Sequence, residues 1–268
     1  MTPAEREAAA ASLYQAAEQR LAIAPLRESW PGLTIEDAYD IQRINHQRLR
    51  ATGARRVGCK IGLTSSAVQK QLGVDQPDFG VLFNTMCYGD AQPVPASVLA
   101  QPKVEAEIAF VLKSDLTMSE PALHDVIRAI DYALPAIEIV GSRIRNWDIH
   151  ITDTIADNAS SGAFVLGGTP KQLADFDLRL CGMVMTRQGE PVSTGAGAAC
   201  LGHPLNAVVW LAQTMARLDT PLRAGDVVLS GALGPMVSVE PGDIIEARIN
   251  GLGSVRAHFA PAISEDAE

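Results

Sequence analysis

The stretch Pro102–Leu112, with the sequence PKVEAEIAFVL, predicts a β-strand with two acidic side chains. Apolar residues alternate with Glu105 and Glu107, and this period of two is typical of a strand. Both glutamates then lie on one face, about 7 Å apart at roughly 3.3 Å per residue. Neighbouring carboxylates in an apolar strand repel each other and resist desolvation, and a hard divalent cation relieves both effects. The alternative is a solvent-facing strand edge with two ordinary glutamates.

A third carboxylate interrupts a second apolar run. The segment ALPAIEIV predicts a strand whose single charged residue is Glu138, and a lone carboxylate there needs a partner. One interpretation joins Glu138 to Glu105 and Glu107 in a site for Mg²⁺ or Mn²⁺, with open positions for water and substrate oxygens. The other is a salt bridge from Glu138 to Arg143 or Arg145. The residues alone leave both open.

The composition bounds the class of protein. The chain has 268 residues, of which 47 % are apolar and 20 % charged, as in a soluble globular protein with one large domain or with one domain and a helical appendage. A net charge of −9 argues against a nucleic-acid-binding surface. The start MTPAEREAAA lacks the pattern of a secretory signal, and no apolar run reaches the ~18 residues of a membrane span. Four scattered cysteines without a CxxC pair are typical of reduced thiols, so we expect a cytoplasmic protein.

The pattern of the sequence changes after about residue 55. A capping box at Thr2 and a helix start at Thr34 with Asp37 predict two helices and a helical section over residues 1–55. Short strands separated by turns follow and predict a catalytic mixed-β domain over 56–262, with a tail over 263–268. This pattern favours an α+β fold over a doubly wound sheet.

Local signals predict further elements. We expect a short helix from Thr64 to Leu72, a helix from about Pro121 to Ile130 capped by Ser119, and a polar loop over Asp153–Gly162. The Asn250-Gly251 pair predicts a β-hairpin.

Four polar residues outside the glutamate segments are candidates for chemistry. Lys60 lies in the apolar strand RVGCKI, where a lysine either reaches the surface or is held inside for its charge. Asp78 lies in a Pro-Asp-Phe-Gly loop and is either a base or a turn former. Asn158 and Ser160 supply amide and hydroxyl donors, with local turn bonding as the alternative. No G-x-G-x-x-G motif follows a strand, so no dinucleotide cofactor is expected.

Taken together, these segments resemble the 2-keto-4-pentenoate hydratase (2-hydroxypenta-2,4-dienoate hydratase) family of the fumarylacetoacetate hydrolase superfamily. The likeness extends from the second helix to Phe259, and the motifs are specific as a set. In chain order they are Lys60–Ser65, Gln76–Gly80, Glu105–Glu107, Pro135–Val140, Ser142–Trp147, Ala156–Ser161 and Leu201–Pro204.

The resemblance implies a fold, a cofactor and an assembly. The expected fold is a helical N-terminal section followed by a mixed β-sandwich-like roll, and the chain is expected to form a homo-oligomer. Lys60, with a pKa lowered by burial and a cation, is expected to neutralise charge or relay a proton, and Asp78 to act as a base. The implied metal ligands for Mg²⁺ or Mn²⁺ are Glu105, Glu107 and Glu138, and the predicted substrate-binding residues are Ser160, Asn158 and Leu63.

The implied activity is a metal-dependent hydratase of aromatic meta-cleavage catabolism. It adds water to 2-hydroxypenta-2,4-dienoate to give 4-hydroxy-2-oxopentanoate. Alternatives are a 4-oxalocrotonate (2-oxohex-3-enedioate) decarboxylase, in which Arg143 or Arg145 binds the extra carboxylate, and a 2-oxohept-4-ene-1,7-dioate hydratase. A C–C bond hydrolase is disfavoured because no histidine-containing dyad is evident. Association with a pathway decarboxylase or aldolase is also expected, and Ser230–Met236 resembles the hydratase version of its segment.

Overall fold

Two β-sheets pack against each other in the computed structural model, which describes residues 1–65, 69, 76–95 and 99–261. The strands are β1 (Arg56–Gly62), β2 (Asp78–Phe83), β3 (Cys87–Gly89), β4 (Pro93–Val94), β5 (Pro102–Leu112), β6 (Ile130–Gly141), β7 (Ser161–Leu166), β8 (Gly182–Arg187), β9 (Glu190–Ala196), β10 (Val227–Leu229), β11 (Val237–Ser238), β12 (Ile244–Ile249) and β13 (Gly253–Phe259). Within the described residues the larger sheet has eight strands in the order β2-β1-β10-β5-β6-β7-β3, with β11 beside β5. The smaller sheet has five, in the order β4-β13-β12-β8-β9.

The alternation along β5 divides its residues between two environments. Val104, Ala106 and Ile108 are fully or almost fully buried in the core between the sheets. Glu105 and Glu107 therefore lie on the opposite face of the larger sheet. The position of the acidic pair thus follows from the same period of two that predicts the strand.

The helices fall into two groups: Leu13, Ile41 and Ile155 belong to an apolar cluster of their own, whereas Val126 and Leu211 belong to the core between the sheets. Both predicted helix starts form: Thr2 Oγ1 accepts from the Glu5 amide at 3.3 Å, and Thr34 Oγ1 accepts from the Asp37 amide at 3.2 Å. None of the described helices is both long and apolar enough to cross a membrane. The helices are α1 (Pro3–Gln19), α2 (Leu26–Ser29), α3 (Ile35–Ala51), α4 (Leu123–Ala129), α5 (Ile151–Ala156) and α6 (Pro204–Arg217).

The α+β class predicted from the sequence is confirmed, but three local predictions are wrong. Asp78, predicted in a loop, is the first residue of β2, because Asp78 to Phe83 pair with β1. Helix α4 begins after Ala122 and has no Ser119 cap; the Asp125 carboxylate accepts from the Ala122 amide instead. The predicted polar loop contains α5, because Ile155 and Ala156 pack into an apolar cluster with α1 and α3. The predicted helix from Thr64 to Leu72 falls largely, and the tail over 263–268 entirely, outside the described residues. The division at residues 55 and 262 stays a prediction.

Replacing Arg143 with methionine is expected to destabilise the fold by roughly 3–5 kcal/mol. The buried guanidinium binds the Asp157 carboxylate and donates to the carbonyl oxygens of Gly141 and Ser161 at 2.8 and 2.9 Å. Its removal leaves the Asp157 charge buried and unpaired. Urea unfolding measures the loss, and the exposed Arg145→Met variant should stay within about 0.5 kcal/mol of the parent. Equal stabilities for the two variants would contradict this account.

Candidate metal centre

The antiparallel pairing of β5 and β6 brings the three predicted carboxylates together. Glu105 lies directly opposite Glu138 in the register, and Glu107 lies two residues further along the same face of β5. One carboxylate oxygen from each residue lies within 4.8 Å of the others. Glu107 and Glu138 are completely buried, whereas Glu105 is partly exposed. The cluster is therefore an internal site and not a solvent-facing strand edge.

The protein itself leaves several of these oxygens unsatisfied. Within the part of the chain that the structure describes, Oε1 of Glu107 and both side-chain oxygens of Glu138 have no hydrogen-bond partner. The Lys60 ammonium lies 3.2 Å from Glu138 Oε1, which is close enough for an ion pair but not aligned as a hydrogen bond. Buried polar atoms are normally paired, so converging unpaired carboxylate oxygens fit a hard divalent cation.

The salt-bridge alternative for Glu138 is wrong for both predicted arginines. Lys60, from β1, is the cation beside Glu138. Arg143 pairs with Asp157 and is engaged by backbone carbonyls, and Arg145 is exposed to solvent. The buried carboxylate is thus balanced by a lysine from a strand that the sequence does not associate with it.

Lys60 is held inside and does not reach the surface. Its side chain is 4 % exposed. Burial acts to lower the pKa of Lys60, but the surrounding carboxylates, Glu138 first, outweigh burial and raise it in the metal-free protein. The predicted lowering of this pKa included a bound cation; without the cation the pKa is raised instead, because three glutamates and Asp78 surround the ammonium. Lys60 is therefore a fixed positive charge beside the cluster.

Burial raises the pKa values of all three glutamates. Burial, assisted by the charge of Glu138, raises the pKa of Glu105 to about 7. Burial and then the charges of Glu138 and Glu105 raise the pKa of Glu107 well above its usual range. Burial also raises the pKa of Glu138, although Lys60 opposes the rise. Ligands must be deprotonated to bind a cation, so binding here would release protons.

We expect the stability of the metal-free protein to fall as the pH rises from about 6.5 to about 8. The pKa values of Glu105 and Glu107 are raised, so the folded state retains protons that the unfolded state has lost, and raising the pH removes this advantage. Burial lowers the pKa of His46 to about 4, so its opposing contribution is nearly complete by about pH 6.5. The melting temperature in chelator should drop by on the order of 3 °C, and less in Glu105→Gln. A rise with pH would contradict the prediction.

Gly231, which is not among the predicted site residues, forms a hydrogen bond with Glu107. Its amide donates to Glu107 Oε2 at 2.8 Å. The φ of Gly231 is +97°, and a Cβ there would lie 2.4 Å from Thr64 Oγ1, so only glycine fits. This residue belongs to the Ser230–Met236 segment, but sequence reasoning assigned it no contact with the glutamates. In the sequence, the Ser230-Gly231 pair directly after β10 is the feature that could have indicated this close backbone approach.

Asp78 borders the same buried space from β2. It pairs with Gly62 of β1, and a Cβ on Gly62 would lie 2.2 Å from Asp78 Oδ1 and 3.6 Å from Lys60 Nζ. Because Gly62 has no side chain, there is room for both the Asp78 carboxylate and the Lys60 ammonium. Burial raises the pKa of Asp78, while Lys60 and the hydroxyl of Thr154 oppose the rise.

The predicted substrate-binding loop is a left-handed turn. Asn158, Ala159 and Ser160 have φ values of 54°, 51° and 55°, a conformation that costs non-glycine residues roughly 1–2 kcal/mol each. The Asn158 amide donates to the Val81 carbonyl at 3.0 Å and accepts from the Val81 amide at 2.8 Å. Ser160 Oγ is buried and has no partner among the described residues. The turn is thus anchored through Asn158 and leaves the Ser160 hydroxyl unsatisfied.

The structure places Leu63 directly after β1, with φ at 57°. Its carbonyl accepts from Gln69 Nε2 at 2.7 Å. The substrate-binding roles of Leu63, Ser160 and Asn158 stay predictions, and Asn158 already makes structural hydrogen bonds.

A family model described as fumarylacetoacetate (FAA) hydrolase C-terminal matches residues 55–260. The chain belongs to the fumarylacetoacetate hydrolase family. The matched range includes β5, β6 and every candidate site residue, and the predicted family and its characteristic fold are confirmed.

Relatives in the family include named hydratases. The chain is 62 % identical to a 2-keto-4-pentenoate hydratase from Paraburkholderia xenovorans over 97 % of this chain and 96 % of that protein. It is 60 % identical to the TodF product hydratase from Pseudomonas putida, with 95 % of each chain covered. A solved 4-oxalocrotonate decarboxylase from Pseudomonas putida G7, complexed with magnesium and adipate, superposes with a TM-score of 0.93 at 40 % identity. The superposition covers 97 % of this chain and 98 % of the decarboxylase chain.

Proposed function

We propose that this protein is a hydro-lyase that converts 2-hydroxypenta-2,4-dienoate and water to 4-hydroxy-2-oxopentanoate in aromatic meta-cleavage catabolism. The observation that supports it most directly is the buried cluster of Glu105, Glu107 and Glu138 beside Lys60, in a chain 62 % identical to a named 2-keto-4-pentenoate hydratase. An enol acid has a carboxylate and a neighbouring oxygen, and this pair suits a site with a hard cation.

The three glutamates are the residues that would hold Mg²⁺ or Mn²⁺. Their unpaired oxygens and the solved decarboxylase with magnesium support this assignment. When bound, the cation supplies Lewis-acid stabilisation of the negative charge that develops on the 2-oxygen of the substrate. Three protein ligands leave positions open for substrate oxygens.

The reaction has two stages of proton transfer, in which side chains other than the three glutamates take part. In the first stage the enol proton leaves the 2-hydroxyl and a proton is added at C5, which gives 2-oxopent-3-enoate. In the second stage water adds at C4 and C3 gains a proton. We assign Asp78 as the base that accepts a proton from the enol or from the attacking water, since its Oδ1 is buried and unpaired among the described residues. Lys60 stabilises charge on the substrate, and the Ser160 hydroxyl positions it.

A 4-oxalocrotonate decarboxylase is the second candidate, because the solved decarboxylase has the same fold at 40 % identity. Its substrate has an additional carboxylate that needs a cationic partner. Arg143, predicted for that role, is occupied by Asp157 and two backbone carbonyls. This engagement and the higher identity to hydratases favour the hydratase.

Two parallel assays with the purified chain separate the candidates. Loss of dienol absorbance is followed for 2-hydroxypenta-2,4-dienoate, and CO₂ release is followed for 2-oxohex-3-enedioate. We expect hydration that stops in chelator and returns with Mg²⁺ or Mn²⁺, without CO₂ release. Decarboxylation without hydration would overturn the proposal, and turnover by the chain alone would exclude a purely structural role.

Homo-oligomer formation and association with a pathway decarboxylase or aldolase remain part of the proposal, and size-exclusion chromatography tests them.

A further inference from the structure

The two oxygens of Asp78 have different environments. Thr154, on α5, donates its hydroxyl hydrogen to Oδ2 at 3.0 Å, and both residues are at least 95 % buried. Oδ1 has no hydrogen-bond partner in the described part of the chain and borders the space above Gly62 that Lys60 also borders. Oδ2 is therefore fixed by a hydrogen bond, whereas Oδ1 is unpaired among the described residues and lies on the side of Lys60.

The backbones of both partners are joined by a third element. Gln42, on α3, is 3 % exposed and donates through Nε2 to the Phe79 carbonyl at 2.9 Å and the Ile155 carbonyl at 3.0 Å. Phe79 follows Asp78 and Ile155 follows Thr154 in the chain. The Tyr39 ring stacks on Phe79 with centroids 4.9 Å apart. Helix α3 thus holds β2 and α5 at the spacing that the Asp78 hydrogen bond requires.

We propose that Thr154 is a positioning residue, which orients Asp78 so that Oδ1 alone faces the substrate and accepts the proton. This inference rests on the proposed function and deepens it. A carboxylate with one oxygen bound cannot rotate freely, and a hydroxyl donor favours its charged form. Without the donor the same carboxylate is both less well aligned and easier to protonate.

The charged and titratable groups facing Asp78 come from several elements. They are Lys60 from β1, Glu105 and Glu138 from β5 and β6, and Tyr39 from α3. All of them are retained in a Thr154 variant, so a change in the titration of Asp78 reports the loss of the hydroxyl donor.

The variants are Thr154→Val, which keeps the shape without the hydroxyl, and Thr154→Ser, which keeps the hydroxyl. We expect Thr154→Val to lower kcat by about 10- to 100-fold with little change in KM, and to move the acid limb of the pH–rate profile upward. Thr154→Ser should restore kcat to within about threefold of the parent. The control is Thr214→Val on α6, which removes a buried hydroxyl whose side-chain hydrogen-bond partner among the described residues is Arg217, and which should leave kcat unchanged.

A second readout does not depend on turnover. Carbon-13 NMR of the labelled Asp78 carboxyl carbon, assigned with Asp78→Asn, should show an upward shift of its titration midpoint in Thr154→Val and none in Thr154→Ser. An unchanged midpoint and an unchanged pH–rate profile would overturn the inference, as would equal impairment of the Val and Ser variants. If Thr154→Val does not fold, Thr154→Ala, which leaves space for water, is measured in the same way. An inactive parent chain would refute the proposed function and leave the NMR result to decide on Thr154.

Discussion

Glu107→Gln is expected to reduce turnover by at least about 1,000-fold and to weaken divalent-cation binding by at least about 100-fold. Glu107 is fully buried, its Oε1 is unpaired within the described residues, and its Oε2 accepts from the Gly231 amide. Glutamine keeps the shape and an acceptor for that amide, but it removes one of the three charges that we propose hold the cation. The fold should therefore survive.

The same variant should melt at a higher temperature than the parent in chelator, because one of three mutually repelling carboxylates is gone. Addition of Mg²⁺ or Mn²⁺ should raise the melting temperature of the parent far more than that of the variant. Glu246→Gln on β12, far from the site in the smaller sheet, is the matched control and should behave as the parent. A Glu107→Gln enzyme with parental activity in chelator-treated buffer would refute the metal centre.

Lys60→Met is expected to lower kcat by roughly 100- to 10,000-fold without weakening cation binding. The ammonium lies 3.2 Å from Glu138 Oε1, and no other lysine or arginine in the described residues lies within ion-pair distance of the three glutamates. Its loss makes the pocket more negative, so the attraction for a divalent cation increases while charge on the substrate is no longer balanced.

The metal-free Lys60→Met protein should also be destabilised, by roughly 3–5 kcal/mol, because the buried Glu138 charge loses its counter-ion. This is the opposite of the change expected for Glu107→Gln, so the two variants distinguish a ligand from a charge-balancing residue. Isothermal titration with Mn²⁺, thermal melts in chelator and steady-state kinetics measure the three quantities. Lys113→Met, on the exposed residue after β5, is the control. Loss of Mn²⁺ binding in Lys60→Met would contradict the assignment.

Local patterns predicted the elements that depend on neighbouring residues only. The bounds of the strand Pro102–Leu112 match the quoted stretch, since the period of two is a property of that segment alone. The capping box at Thr2 and the helix start at Thr34 formed as expected, because each depends on residues three apart in the chain. The hairpin at Asn250-Gly251 is confirmed for the same reason.

Predictions failed where distant contacts decided the outcome. The stretch that begins at Asp153 is polar and small, which is typical of a loop, yet α5 forms there. Arg27 from α2 pairs with Asp153, and Gln42 from α3 binds the Ile155 carbonyl. These partners are far away in sequence, and tertiary packing overrode the local preference.

The sequence by itself determined that Glu105 and Glu107 share one strand face, that Glu138 interrupts an apolar strand, and that helices precede a mixed-β region. Only the tertiary structure decided that Glu138 lies opposite Glu105, that Lys60 and not an arginine balances it, and that Thr154 binds Asp78. The physical reason is that side-chain alternation is local, whereas strand register and the burial of charge depend on which segments pair across the whole sheet.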